Sequence, residues 1–450
     1  MSKHKVHLSD HFTFRKIFQM SYAPILMMVF SSLYSIVDGF FVSNFAGDGA
    51  FTGVNLIFPI IMIVAGIGFM FGTGGAAFVS ALLGQNEKEK AQRTFSMTIL
   101  FASIIGLFVS LIVFLLIPQI VEALARVGNN TSEETIKNAI LYGRIMMAGE
   151  VFYIVQNTFQ SFFSVAEKPH LGFFFTLAAG LSNMFLDFLL IDIFSMGVVG
   201  AALASIFGMV IGSIGPLIYF SFDKKSLINL KKPEININHL FKIMSNGMSE
   251  FVSNISGSIV SIVFNIQLLR FVGEAGISAY GIIMYVSYVF MAIFIGYSIG
   301  MAPAVGYNYG SGNKNELKNI RKKSLFIVGI CGIIMLLLSE LLAVPFSKLF
   351  SHGDTNLQQI ATRAMHIYSF SYLFCGFSIY GSSFFTALNN GIISAVISIL
   401  RTLCFQLICV IILPILLDTD GIWISIIIAE IASFIMTFVF MIIKQKKYGY

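Results

Sequence analysis

The stretch "LSNMFLDFLLI" at residues 181–191 sets an amide and an acid, Asn183 and Asp187, one helical turn apart in an otherwise apolar run. Residues at i and i+4 share a helix face. An ionised carboxylate in hydrocarbon costs about 2.5–3.5 kcal/mol even on lenient insertion scales, so such residues face a cavity or a partner and serve a function. A second acid, Asp38, lies deep in "SSLYSIVDGFFVS", and a hydroxyl, Ser205, lies in "VVGAALASIFGMV". Two carboxylates, an amide oxygen and a hydroxyl form an all-oxygen set. That set suits a hard cation such as Na+ or an exchanging proton, whereas softer metals prefer His or Cys. The expected ligand is a coupling ion, H+ or Na+, with no cofactor.

The elements that must position these groups follow from composition. Of 450 residues, 57% are hydrophobic and 11% charged, against roughly 25% charged in soluble domains. Phe (47) and Gly (39) are abundant, as expected where side chains meet lipid and helices approach closely. A span needs roughly 20 mostly apolar residues, and twelve candidates run near 17–42, 50–80, 94–117, 138–164, 170–194, 197–221, 240–271, 276–308, 324–344, 361–388, 392–416 and 421–443. The basic start lacks a small-residue cleavage site after the first apolar run, so segment 1 reads as a permanent anchor. Cys331, Cys375, Cys404 and Cys409 lie in apolar runs without CxxC spacing, which argues against a metal site or disulfide framework.

Lys and Arg favour the cytoplasmic side of short loops. They cluster at Lys3–Lys16, Lys88–Arg93, Lys168, Lys224–Lys242, Lys314–Lys323 and Lys444–Lys447, while the alternate loops carry acids such as Asp48, Glu133, Glu274 and Asp420. Both termini and every even-numbered connection are therefore expected to be cytoplasmic. The net charge of +6 is explained by this topology, and nucleic acid is not an expected partner.

The two halves repeat. "SNFAGDGAFTGVNLI" at 43–57 aligns with "LRFVGEAGISAYGII" at 269–283, "LGQNEKEKAQR" from Leu83 with "YGSGNKNELKNIR" from Tyr309, and "SFFSVAEKP" at 161–169 with "SFFTALNNG" at 383–391. Duplicated transporter folds have this form. The expected fold is an all-α polytopic membrane protein of twelve transmembrane helices in two six-helix lobes related by an axis along the membrane normal. The N-terminal lobe is 1–222, a basic linker occupies 223–239 and the C-terminal lobe is 240–450. In this alignment Asp38 falls opposite Phe264, Asn183 opposite Phe405 and Asp187 opposite Cys409. The acids are confined to one lobe, so symmetric maintenance of the fold does not explain them.

Other polar residues have two readings. Arg401 and Glu430 read as a buried ion pair between segments 11 and 12, with substrate contact as the alternative. Gln156, Asn157, Glu250, Asn254 and Tyr288 are candidates to line a substrate cavity, with Arg144 and Glu150 as further candidates for contact with substrate or ions. Met62, Tyr153, Tyr285 and Met291 are of a kind that adapts to flat cations, although most such residues face lipid. "GIGFMFGTGG" at 66–75 has the outline of a dinucleotide fingerprint but lies within a span with no preceding strand, so close helix packing is the better account.

Asp38, "NMFLD" at 183–187 and Ser205, with twelve spans in two lobes, resemble the multidrug and toxic compound extrusion (MATE) transporters, most of all the DinF-like branch. The resemblance covers essentially the whole chain. It implies that Ala201 adds its backbone carbonyl to the ion site, and Ser205 stands where the family commonly has Thr. The sodium-coupled NorM type relies on acids in segments 7 and 10; segment 10 has none here, and Glu250 lies near the start of segment 7. The resemblance further implies export of small amphipathic, often cationic compounds against an inward ion gradient by a chain that acts alone in a bacterial plasma membrane, surrounded by lipid. Pro24 in segment 1 offers a hinge, because proline removes a helix hydrogen bond. A flippase for lipid-linked substrates would favour a more cationic cavity, and a membrane-embedded lipid-modifying enzyme would need a nucleophile, base or metal cluster that the scattered histidines do not supply.

Overall fold

A computed structural model describes residues 6–47, 49–127, 132–351 and 354–450. Lys3, Lys5 and Asp48 lie outside the described residues. The first lobe comprises α1 (Phe14–Phe45), α2 (Ala50–Gly84), α3 (Lys88–Val127), α4 (Glu133–Val165), α5 (Pro169–Asp187) continued by a π-helical turn (Phe188–Ile193), and α6 (Gly197–Phe222). The second comprises α7 (Ile237–Phe271), α8 (Glu274–Gly310), α9 (Lys314–Phe350), α10 (Thr355–Ser369), α11 (Tyr372–Ala387), α12 (Gly391–Ile399), a π-helical turn (Leu400–Phe405) and α13 (Gln406–Tyr448). Helices α10 and α11 form one broken span. Helix α13 bends at Asp418 (φ 49°, ψ −136°), where the eleventh span ends and the twelfth begins.

Among the described residues, nine helical stretches are long and apolar enough to cross a membrane. The 391–448 stretch among them holds two spans. The remaining two are α4, where Arg144, Glu150, Gln156 and Asn157 interrupt the apolar run, and the broken α10–α11 pair.

Duplication is visible in the backbone as well as in the residues. Left-handed φ values recur at aligned turns: +97° at Gly47 and +82° at Gly273, +64° at Asn86 and +71° at Gly312, +57° at Glu167 and +55° at Asn389. Such values strain any residue with a Cβ, yet three of the six are not glycine, so the turn geometry is kept where the side chain does not favour it.

Between the lobes, α2 packs on α7 and α8 packs on α1. A Cβ on Gly74 would overlap Ile243 and Gly247, and its repeat partner Gly300 packs on Met20 and Ser21. A Cβ on Gly84 would overlap the Tyr307 carbonyl, and one on Gly310 the Ala81 carbonyl. Glycine is needed here because the helices meet backbone to backbone. These contacts all lie in the half of the molecule that carries residues 6–13, the last residues of α13 and the lysine-rich connections, here called the basic face. Toward the opposite face, Gly39, Gly257 and Gly281 have nothing within 4 Å of where a Cβ would be. The lobes are thus zipped along the basic face.

A short strap crosses the zipped end. Glu167, between α4 and α5, accepts the Leu8 N–H at 2.8 Å and pairs with the His7 ring at 2.8 Å. Glu316, in the first turn of α9, accepts the Phe12 N–H at 2.9 Å and pairs with the His11 ring at 2.7 Å. Residues 7–12 therefore grip one carboxylate in each lobe, with Leu8 and Phe12 buried between the grips. Burial pushes the Glu316 carboxyl up, but the Phe12 N–H, Asn319 and His11 outweigh it and hold the group below its ordinary value.

Candidate functional site

Each residue type earns its place from its helix. Asp38 sits in the last third of α1, beyond Pro24. Asn183 and Asp187 close α5, and the π-helical turn begins directly after Asp187. Such turns shift the register of the side chains around them and concentrate at functional sites. Ser205 faces them from α6, where it accepts the Asn183 amide N–H at 3.4 Å.

A cavity of about 80 Å³ lies among α1, α2, α4, α5 and α6 of the first lobe, with Asp38, Tyr142, Tyr153, Gln156, Asn183 and Ser205 among the residues lining it. Asp187 is wholly buried behind it, and its carboxyl and that of Asp38 are close enough to act on one another electrostatically. Two carboxylates offer only acceptors and cannot satisfy one another: Asp38 Oδ1, both oxygens of Asp187 and Asn183 Oδ1 have no donor. Buried acceptors in that state are costly, and two like charges in contact repel. A proton or a small cation between them relieves both penalties. The available volume, at about 30 Å³ per water, admits an ion with a water or two.

The remaining sequence candidates fall into three places. Ala201 is fully buried one turn before Ser205 and does not itself line the cavity. Gln156 lines it, while Asn157 turns toward α2, where it packs on Gly68 and Gly72. Glu250, Asn254 and Tyr288 belong to the other lobe. Asn254 packs on Gly66 of α2 and donates to the Glu250 carbonyl at 2.8 Å; Tyr288 is 55% exposed and its carbonyl accepts from Ser32 at 3.3 Å. Arg401 and Glu430 form an ion pair at 3.0 Å inside the second lobe, joined by two contacts from Arg401 Nε at 3.0–3.1 Å. Pro24 is buried in α1, its carbonyl against Gly296 of α8.

The sequence reading missed the hydroxyls of Tyr34 and Tyr142, which line the cavity beside Tyr153. The available signal was three tyrosines recurring in apolar runs of segments 1 and 4.

Twelve spans in two repeated lobes, with a small acid-lined cavity in one lobe, define a polytopic membrane transporter. The MatE family model matches residues 24–189 and 251–412, one match in each lobe, and the chain belongs to the MatE family, whose members are transporters and not enzymes. Among curated relatives, the multidrug export protein MepA of Staphylococcus aureus (strain MRSA252) is 25% identical over 389 residues, covering 86% of this chain and 84% of the relative. MepA of Staphylococcus saprophyticus is 26% identical over 418 residues, covering 91% and 88%. The fold is shared with a MATE structure in the straight conformation (TM-score 0.91, 20% identity, 100% of both chains). It is shared also with a MOP-superfamily transporter from Pyrococcus furiosus (TM-score 0.91, 20% identity, 100% of both chains).

Proposed function

We propose that this chain is a secondary active exporter of amphipathic, cationic compounds, driven by inward movement of H+ or Na+ through the acidic cavity of its N-terminal lobe. The observation that carries this reading is the pair of acids Asp38 and Asp187 at one small cavity, with Asp38 Oδ1 and both Asp187 oxygens buried and without donors. A site of this kind is complete only with a bound cation. The names of the MepA relatives, multidrug export proteins, support the substrate class.

The basic face is taken as cytoplasmic, with both termini there, because lysine and arginine concentrate on it. The zipped seam then closes the cytoplasmic side. A drug-sized ligand fills a pocket of roughly 300–1,000 Å³, far above the 80 Å³ of the N-lobe cavity. Substrate is therefore assigned to the space between the lobes, near Glu250, Asn254 and Tyr288, and the coupling ion to Asp38, Asn183, Asp187 and Ser205, with Ala201 in support. The lobe boundaries 1–222, 223–239 and 240–450 and a monomeric working unit belong to the same reading.

Coupling follows from position. Asp38 lies on α1 beyond Pro24, whose missing N–H weakens the helix at that level. Charging or neutralising Asp38 changes its attraction to the α5 acid, and α1 can answer by bending at Pro24. The Pro24 carbonyl packs on α8, so the bend alters the contact between lobes. If Pro24→Ala transports as the native chain does, the hinge is discarded.

The test is dye efflux from proteoliposomes under separately imposed proton and sodium gradients, comparing the native chain with Asp38→Asn and Asp187→Asn. Loss of gradient-driven export in variants that insert normally supports the coupling site, and the effective gradient names the ion. Export at the native rate in both variants removes the proposal.

A further inference from the structure

The residues ahead of α1 use one pattern twice, His7 with Leu8 and then His11 with Phe12. In each pair the ring holds Oε2 of a carboxylate and the following N–H donates to its Oε1, so both oxygens of Glu167 and both of Glu316 are engaged. The two acids stand in different lobes, and only 8% of each side chain is exposed. Hydrogen bonds to an ionised, shielded carboxylate are among the stronger ones a protein makes.

The two grips are unequal. On the C-lobe side the Phe12 carbonyl also accepts from Asn319 at 2.9 Å and from Lys323 at 2.7 Å, and the Leu8 carbonyl accepts from Asn308 of α8 at 3.4 Å. The Phe14 ring, in the first turn of α1, meets Phe326 of α9 edge-on at 5.8 Å. Among the described residues, the hydrogen bonds from the strap to the body of the N-terminal lobe run to the Glu167 carboxylate.

The strap is also short. Leu8 and Phe12 are four residues apart, a reach of about 14 Å when fully extended, and a turn closed by the Asp10 N–H on the His7 carbonyl at 3.1 Å shortens it. Transporters built of two repeats work by rocking one against the other, and to load from the basic face the lobes must part along the glycine seam. Once they have parted by more than the strap can stretch, one carboxylate is let go.

We propose that residues 7–12 are a latch on the basic-face seam, which stays docked on Glu316 and releases Glu167 each time the lobes part there. Latched, it adds contacts that the parted state lacks and so biases the molecule toward closure on that face. The C-lobe contacts keep the strap folded while it is released, so relatching does not have to order a free tail. The inference rests on a two-lobe transporter and not on the Asp38–Asp187 site.

The likeness of the two His–Glu pairs supplies the test. The full-length chain is prepared as His7→Cys/Glu167→Cys and as His11→Cys/Glu316→Cys, each pair is bridged with a short reducible bis-thiol reagent, and dye efflux from proteoliposomes is compared before bridging, after it and after reduction. The single variants, treated alike, are the controls. Bridging the first pair is expected to stop efflux and reduction to restore it, while bridging the second leaves efflux at its unbridged rate. Undiminished efflux with the first pair bridged overturns the latch, and equal loss with either pair bridged overturns release at Glu167. A second measurement needs neither dye nor gradient: spin labels at the exposed positions of Lys88 in α3 and Lys318 in α9 report the distance between lobes in purified protein. Glu167→Ala is expected to increase the population at longer distance, and an unchanged distribution overturns the latch. If the native chain exports no dye under either gradient, the coupling reading fails and the spin-label distances still decide the latch.

Discussion

Where the N-terminal lobe places Asp38, the C-terminal lobe places Phe264, buried and stacked on Tyr280 with ring centres 5.3 Å apart. Where the first has Asp187, the second has Cys409. Yet the turns, the glycine contacts and the order of helices recur in both. Each lobe also has a π-helical turn beside a charged residue: Asp187, buried, immediately precedes one, and Arg401, part-buried, lies within the other. The difference is electrical. Arg401 finds Glu430 within its own lobe, while Asp38 Oδ1 and both oxygens of Asp187 have no donor among the described residues. Under the proposed coupling, a cation reaching the two unsatisfied acids would act on this lobe alone, since a ligand shifts a conformational equilibrium only by what it adds to one state over the other.

The largest effect that would break this comparison is on transport. Asp38→Asn or Asp187→Asn should reduce gradient-driven dye efflux to background, while Phe264→Leu and Cys409→Ser at the aligned positions should leave it near native. Equal losses from both pairs would make the asymmetry irrelevant to coupling.

Next in size is stability. Arg401→Met leaves Glu430 buried and unpaired, a loss of roughly 3–5 kcal/mol, read as a fall in the thermal unfolding midpoint in detergent. The double variant Arg401→Met/Glu430→Leu should recover most of it, since a buried pair replaced by apolar groups is often nearly neutral. Full recovery of the midpoint with lost transport would move the pair from structure to substrate.

Smaller again is the contrast between two glycines of α7. Gly247 packs against the Met70 backbone, and Gly257 faces open space. Gly247→Ala should shift spin-label distances across the basic face toward separation. Gly257→Ala should leave them unchanged and stabilise the helix by about 1 kcal/mol at most.

The smallest effect concerns the strap. The Glu316 carboxyl is held below its ordinary value of 4.5, so its contribution is fully present above that value and is lost as pH falls through the depressed one. Acidification below about pH 4.5 should therefore loosen the C-lobe grip on residues 7–12, seen as faster hydrogen exchange of the Phe12 amide. In Glu316→Gln that pH dependence should vanish.

Much of the fold was legible in the chain because a membrane leaves few options: apolar runs of sufficient length must be helices, and lysine-rich loops alternate with acidic ones. The duplicated loop motifs showed the two lobes directly. The candidate site was legible in its acids because Asp38 and Asp187 contradict the apolar runs around them. Asn183 was found by its spacing to Asp187. Tyr34 and Tyr142 were not, because a tyrosine in an apolar span is also an ordinary interfacial or packing residue.

Sequence alone determined the helices, their number, their two-fold repetition and the confinement of the acids to one lobe, since each depends on local composition and spacing. Only the tertiary structure decided that Asp38 and Asp187 meet one small cavity with oxygens left without donors, that Arg401 reaches Glu430 and that glycines zip the lobes along one face. Those outcomes depend on which sides of distant helices meet, and helix periodicity fixes the faces of a helix without naming the neighbour each will find.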